Sequence, residues 1–187
     1  MTMSSVEIGG SRIIVVFGKV GVGKTSVAEG VAQQLDCPRL SSDDFRKKRF
    51  KGQQYEESHS VAAMADMLAK ASWFFEKSRN GVVLDATFSK RKSRDRVREL
   101  AGKYGREVAW VEVVCPTESL SADFAAREKG MGGNIAGAWV AREADDLADV
   151  AGRLVVDNSD RRGKKGKKIR ILVEQICHEM NLEKAVS

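Results

Sequence analysis

The chain has 187 residues, of which 42% are hydrophobic and 31% charged, a composition that excludes a disordered polymer and indicates a globular domain. Its length argues for a single domain over residues 12–187, after a flexible leader at residues 1–11 that lacks the apolar core of a secretory signal. No apolar run approaches the ~18 residues that a membrane span needs. Three widely separated cysteines fit free thiols in a reducing compartment, so we predict a cytoplasmic protein without membrane contact.

The net charge of +6 is concentrated in one place. Seven lysines and arginines lie between residues 161 and 170, so the rest of the chain is close to neutral, with a smaller basic cluster at 46–51. Basic runs attract phosphates or nucleic acid, but a run of charge is also what a solvated loop contains. The sequence leaves both interpretations of the run open.

Apolar periodicity predicts strands and helices that alternate along the chain. The predicted strands are 12–17, 39–42, 81–86, 107–114 and 153–156. The predicted helices are 24–35, 43–50, 60–78, 90–103, 116–129, 138–150 and 167–182. This alternation predicts an α/β fold with a parallel five-stranded sheet flanked by helices, and the glycine-rich stretch 130–134 predicts a flexible lid at about 127–137.

A phosphate-binding loop is predicted directly after the first strand. Residues 18–25, GKVGVGKT, fit the pattern G-x-x-x-x-G-K-[ST] between a buried strand and an amphipathic helix, which is the context of a P-loop nucleotide-binding fold. ATP is the expected donor because the guanine-reading motif N-K-x-D is absent, and Mg²⁺ is the expected metal. The expected nucleotide-binding residues are Gly18, Val20, Gly21, Val22, Gly23, Lys24, Thr25 and Ser26. Among them, Lys24 reaches the β- and γ-phosphates and the Thr25 hydroxyl binds Mg²⁺.

Two carboxylates follow predicted strands. Asp43 comes after the second strand, where it could orient and deprotonate an acceptor hydroxyl or simply cap the next helix. Asp85 ends the apolar strand VVLD, beside the phosphate loop, and is predicted to support the metal together with Thr25. A buried ionised carboxylate also requires a cation or donor as a partner.

An arginine precedes the predicted lid. Arg127 ends the helix before the glycine-rich stretch, where it could stabilise charge on the transferred phosphoryl group or remain a solvated surface residue.

Taken together, the segments GKVGVGKT, SSDDFR (41–46), VVLDATF (82–88) and CPTE (115–118), followed by Arg127, resemble P-loop kinases of the polynucleotide-kinase and zeta-toxin kind over about residues 12–160. The resemblance implies that Asp43 activates the acceptor hydroxyl, that Arg46 contacts a phosphate of the acceptor, and that Arg127 is a lid arginine. It also implies that Asn158, in VVDNS, lies beside the adenine. A plain turn residue is an equally good interpretation of Asn158.

The sequence departs from the family pattern in the lid. Asp123 stands where such kinases often carry an earlier lid arginine, so either lid catalysis is impaired or a lysine such as Lys129 compensates.

The resulting hypothesis is an ATP-dependent phosphotransferase that acts on a hydroxyl. Asp43, Arg46 and Asp85 form the expected substrate side of the site. The acceptor is a polynucleotide 5′ end or a small metabolite such as a nucleoside, sugar or sugar nucleotide. An ATP-binding regulatory module with weak ATPase activity is the alternative from another class, and the oligomeric state is not determined by the sequence.

Overall fold

The computed structural model describes residues 12–54, 56–77, 81–116, 146–159 and 165–182. The strands are β1 (Arg12–Phe17), β2 (Arg39–Ser41), β3 (Gly81–Asp85), β4 (Glu107–Val114) and β5 (Leu154–Asp157). The helices are α1 (Lys24–Leu35), α2 (Ser42–Arg49), α3 (Glu57–Glu76), α4 (Arg91–Tyr104) and α5 (Lys165–Glu179), with a 3₁₀ turn at Ala148–Val150.

The five strands form one parallel sheet in the order β2-β3-β1-β4-β5. Successive residues of the central strand β1 point to opposite faces, and both faces are buried. Ile13 and Val15 belong to the core beneath α3 and α4, whereas Ile14 and Val16 belong to the core beneath α1 and α5. The predicted α/β fold with a parallel five-stranded sheet is confirmed.

Within the described residues, the predicted elements agree with the structure to within a few residues, with one exception. The predicted helix 138–150 does not continue through residues 146–150, which contain only the 3₁₀ turn. The Asp146 carboxylate accepts a hydrogen bond from the Ala148 amide (3.0 Å), a local contact that competes with helical pairing. The leader 1–11, the lid 127–137 and most of the predicted helix 116–129 lie outside the described residues. Among the described helices, none has the length and apolar character to cross a membrane.

Helix α2, which carries Asp43, is anchored by its C-terminal end to α3. Arg49 Nη1 contacts both carboxylate oxygens of Asp66 at 2.8 Å, and the ring of Phe50 stacks on that of His59 with centroids 3.8 Å apart. These contacts hold the C-terminal end of α2 against α3.

A buried arginine connects the segment after β3 to the segment before β5. Arg94 of α4 is fully buried, and its guanidinium contacts the Asp149 carboxylate (2.6 and 2.9 Å) and the Phe88 carbonyl (2.9 Å). Hydrogen bonds from Arg94, and less strongly from Arg98, hold the pKa of Asp149 well below its usual range, although burial acts in the opposite direction. The ion pair therefore fixes where the chain re-enters the sheet at β5.

Replacing Asp149 with asparagine is expected to lower the free energy of unfolding by about 3 kcal/mol, because Arg94 would keep a buried charge without its counter-ion. Since the native pKa of Asp149 is depressed, its contribution to stability exists above the unfolded-state pKa of about 3.9 and is lost as pH falls below it. Urea titrations between neutral and acid pH should show a larger loss in the parent than in the variant. Asp95→Asn, which removes a more exposed partner of Arg98, serves as the control and should cost about 1 kcal/mol or less.

Candidate active site

The loop between β1 and α1 has the backbone of a phosphate cradle. Gly18, Gly21 and Gly23 have φ angles of 140°, 84° and 92°, a region that other residues rarely adopt. A Cβ atom on Gly18 would lie 2.3 Å from the Val113 carbonyl oxygen, so this turn also packs tightly against β4. Gly23 precedes α1 and has no side chain to cap it, which leaves the first-turn amides to an anion.

Asn158, which directly follows β5, is hydrogen-bonded to this loop. Its side-chain amide donates to the Val22 carbonyl (2.9 Å), and its backbone amide donates to the Val114 carbonyl (2.9 Å). The residue is buried, and a Cβ on Gly23 would lie 2.3 Å from its Nδ2. Asn158 therefore ties the phosphate loop to the ends of β4 and β5, a role that the sequence did not indicate. Its contact with the adenine stays a prediction.

We expect Asn158→Ala to weaken ATP binding about tenfold while leaving a folded protein. The loss of one buried hydrogen bond leaves the Val22 carbonyl unsatisfied and loosens the loop, at a cost of about 1–3 kcal/mol. Isothermal titration with a non-hydrolysable ATP analogue measures the effect. Ser159→Ala, at the neighbouring half-buried position, is the control, and equal ATP affinity in the two variants would contradict the assigned role.

Lys24 lies within the loop, and its ammonium group donates to the Lys19 carbonyl (2.7 Å). Burial lowers the pKa of Lys24 to about 8, while the negative charges of Asp85 and Asp43 oppose this shift. Both predicted carboxylates therefore lie close enough to act on the same ammonium group, although they are 42 positions apart in the sequence.

The Asp85 carboxylate lies at the end of β3 and is only 3% exposed. Its Oδ2 accepts from the Thr25 hydroxyl (3.1 Å) and from Arg39 Nη2 (2.9 Å) and Nε (3.3 Å). Arg39 is the cation that a buried carboxylate requires, and the sequence analysis did not identify it. Arg39 opens the strand that pairs with β3 in parallel, a pairing that the assembled sheet shows and that the sequence did not indicate.

The side chains at this site are of the kind that binds Mg²⁺. Thr25 and Asp85 supply a hydroxyl oxygen and a carboxylate oxygen within hydrogen-bond distance, beside the loop expected to hold the phosphates. Mg²⁺ is commonly bound by one or two carboxylates together with substrate phosphates and water. In the described ranges, no group of three or more His, Cys, Asp or Glu side chains could hold a metal by itself. These observations favour a metal held jointly with the nucleotide.

Asp43 lies in the first turn of α2 and is partly exposed. Its two carboxylate oxygens contact Arg46 Nη2 (2.7 Å) and Lys47 Nζ (2.9 Å). Burial raises the pKa of Asp43, but the hydrogen bonds from Arg46 and Lys47 outweigh it and hold the pKa below its ordinary value. The N-cap of α2 is Ser41, so the alternative of Asp43 as the helix cap is wrong. Its carboxylate is therefore available, in the ionised form, to a hydroxyl.

The structure brings Lys24, Thr25, Asp43 and Asp85 together at the carboxyl edge of the sheet, with Arg46 beside Asp43. Arg127, Asp123 and Lys129 lie outside the described residues, as do the first residues of the basic run. The described part of that run begins helix α5, where Arg170 forms an exposed pair with Glu174 at 2.9 Å.

The chain has recognisable relatives in fold. A family model described as an AAA domain, AAA_33, matches residues 13–136. The gluconokinase from Sinorhizobium meliloti 1021 is 20% identical with a TM-score of 0.58, over 91% of this chain and 95% of its own. The Mycobacterium tuberculosis APS kinase CysC, in complex with AMPPNP and APS, is 14% identical with a TM-score of 0.65, over 92% and 98%.

A third likeness is to a chain of the Pnkp1/Rnl/Hen1 RNA repair complex, 17% identical with a TM-score of 0.57, over 91% of this chain and 46% of that one. No curated protein matches the sequence. At these identities the solved structures establish the fold alone.

Proposed function

The chain belongs to the AAA_33 family of AAA domains, and on that premise we propose that it is an ATP-dependent kinase that transfers the γ-phosphate of ATP to a hydroxyl group. The observation that carries this proposal is the convergence of Lys24, Asp85 and Asp43 at one edge of the sheet. A nucleotide-binding loop alone would account for Lys24. A second carboxylate on a separate helix, close enough to influence the charge of the same ammonium group, supports an acceptor beside the γ-phosphate.

Each residue has a distinct part in this reaction. The loop amides and the Lys24 ammonium bind the phosphates and balance the charge that spreads over the transferred group. Thr25 and Asp85 would hold Mg²⁺, which neutralises phosphate charge when bound. Asp43, ionised at neutral pH, accepts a hydrogen bond from the acceptor hydroxyl, directs its oxygen at the γ-phosphorus and takes up the proton as the new bond forms.

The acceptor that the site supports best is anionic. Arg46 and Lys47 flank the Asp43 carboxylate, and exposed Lys48 and Lys51 continue the positive charge along the end of α2. Cations beside the acceptor carboxylate would bind a phosphate carried by the acceptor. A polynucleotide 5′-hydroxyl end, whose phosphates lie close to the reacting hydroxyl, meets this requirement.

A small metabolite is the second candidate. Aromatic residues make up only 6% of the chain, and single-stranded nucleic acids usually bind on aromatic stacking platforms. The solved structures that share the fold include a gluconokinase and an APS kinase in complex with AMPPNP and APS. A small metabolite that carries a phosphate or another anionic group would use the same Arg46 and Lys47 cations as the polynucleotide end.

The test is transfer of labelled phosphate from ATP, with Mg²⁺, to a panel of acceptors. The panel contains 5′-hydroxyl oligonucleotides, nucleosides, nucleoside 3′-phosphates, gluconate, APS and sugar nucleotides. We expect label in the oligonucleotides or the 3′-phosphates, and at least about 10²-fold slower labelling with Asp43→Asn. Label only in gluconate, APS or a sugar nucleotide would select the small-metabolite alternative. Release of free phosphate with no labelled acceptor, unchanged in Asp43→Asn, would overturn the kinase in favour of an ATP-hydrolysing regulatory module.

A further inference from the structure

Arg39 connects the predicted metal ligand Asp85 to α2, the helix that carries Asp43. It opens the edge strand β2, and its side chain is 17% exposed. Its Nε and Nη2 contact Asp85 Oδ2, the same oxygen that accepts from Thr25, while its Nη1 contacts Asp44 of α2 at 3.1 Å. One guanidinium therefore contacts both β3 and α2.

We propose that Arg39 is a positioning residue that sets the affinity of the Thr25–Asp85 pair for its divalent cation. The inference rests on the proposed function only in taking Thr25 and Asp85 as the ligands. Because the guanidinium already donates to the Asp85 oxygen, it supplies the positive charge that a metal would otherwise provide. Binding of the metal is then opposed by a protein cation at the same carboxylate.

The charges around Arg39 support this assignment. Three carboxylates from three elements surround it: Asp85 of β3, Asp44 of α2 and Glu29 of α1, the last at 3.9 Å. Together with the Lys24 ammonium, which also interacts with Asp85, two positive charges face these three carboxylates, so the group retains an excess of negative charge that favours an added cation. Without Arg39 the excess of negative charge at the carboxylates grows. An added cation would lie close to these carboxylates, and charges this close interact strongly in a partly buried site.

A purely structural role for Arg39 and a role in screening Asp85 from the metal predict different effects of replacing Arg39. If Arg39 only bridges strands and helices, its loss weakens the fold to the same extent with and without metal. If it screens Asp85 from the metal, its loss weakens the metal-free fold but tightens cation binding. The metal then restores stability to the variant more than to the parent, by linkage.

The experiment compares parent and Arg39→Gln protein, each saturated with a non-hydrolysable ATP analogue, with Mn²⁺ binding followed by electron paramagnetic resonance and melting followed with and without Mg²⁺. We expect Arg39→Gln to bind Mn²⁺ about tenfold more tightly, which corresponds to about 1.4 kcal/mol, and to gain more in Tm from Mg²⁺ than the parent. Arg39→Lys keeps the charge and should bind Mn²⁺ nearly as the parent does.

Arg12→Gln is the matched control, because Arg12 forms an ion pair with Glu107 at the amino ends of β1 and β4, whereas the site lies at the carboxyl ends of the strands. It should lower Tm without changing Mn²⁺ affinity. Unchanged Mn²⁺ affinity in Arg39→Gln, with an equal loss of Tm with and without Mg²⁺, would overturn the proposal and leave Arg39 as a structural bridge.

A second variant keeps the proposal testable if Arg39→Gln does not fold. Asp44→Asn releases the Arg39 guanidinium from α2 and removes one negative charge near the site. Glu107→Gln removes the same charge at the amino end of β4, away from the site. Mn²⁺ should therefore bind more weakly to Asp44→Asn than to Glu107→Gln. Equal affinity in these two variants would contradict the inference. No acceptor enters either measurement, so failure of the proposed kinase activity and failure of this inference are observed separately.

Discussion

Lys24→Ala is expected to reduce phosphoryl transfer by about 10³-fold or more and to weaken binding of the nucleoside triphosphate. The ammonium lies inside the phosphate loop, in the field of both site carboxylates, where it is placed to balance charge on the phosphates. Removing one preorganised charge stabiliser of this kind costs about 10²–10³ in rate, and cations on transferred phosphoryl groups contribute up to about 10⁵. The labelled-ATP assay and titration with an ATP analogue measure the two effects.

The fold should tolerate this change. Because burial opposes the charged form of Lys24, removing the ammonium does not remove a net stabilising charge, and the melting temperature should stay close to that of the parent. Lys19→Ala is the matched control, since Lys24 contacts the backbone carbonyl of Lys19 and not its exposed side chain. Near-normal ATP turnover in Lys24→Ala would refute the assignment of the loop.

Asp43→Asn is expected to fold and to bind ATP but to lose about 10²–10⁴-fold in transfer to the acceptor. An asparagine can still accept a hydrogen bond from the hydroxyl, but it cannot take up the proton, and removal of a general base costs about this much. Because Arg46 and Lys47 hold the pKa of Asp43 below its ordinary value, the parent should keep its rate through neutral pH and lose it only under acid conditions. Single-turnover transfer across a pH series measures both effects.

Asp44→Asn separates this role from the general effect of charge. The two aspartates are adjacent on α2, but Asp44 faces Arg39 whereas Asp43 faces Arg46 and Lys47. We expect Asp44→Asn to alter metal affinity and to spare the proton-transfer step. If Asp43→Asn kept its turnover per folded molecule while its melting temperature fell sharply, the carboxylate would be structural.

The parts of the fold that depend on short-range pattern were predictable from the sequence. The β-branched run at 12–17 is a strand because its side chains suit a surface buried on both sides, and the glycines that follow it permit backbone angles that other residues avoid. The same holds for the strand that ends at Asp85 and for the amphipathic helix after Lys24. These features predicted the parallel sheet, the phosphate loop and the edge of the sheet where the carboxylates would meet.

Tertiary structure alone decided which side chains complete the site. Arg39 contacts a residue 46 positions away, Arg94 one 55 positions away, and Asn158 one 136 positions away. Such partners depend on the strand order β2-β3-β1-β4-β5, which places β2 beside β3 and brings the end of β5 under the phosphate loop. Hydrophobic periodicity reports which face of an element is buried but not which element lies beside it, because that choice is made by packing over the whole core. The sequence therefore predicted that a buried Asp85 needs a counter-ion, because a buried charge without a partner is costly. Only the assembled sheet identified that counter-ion as Arg39.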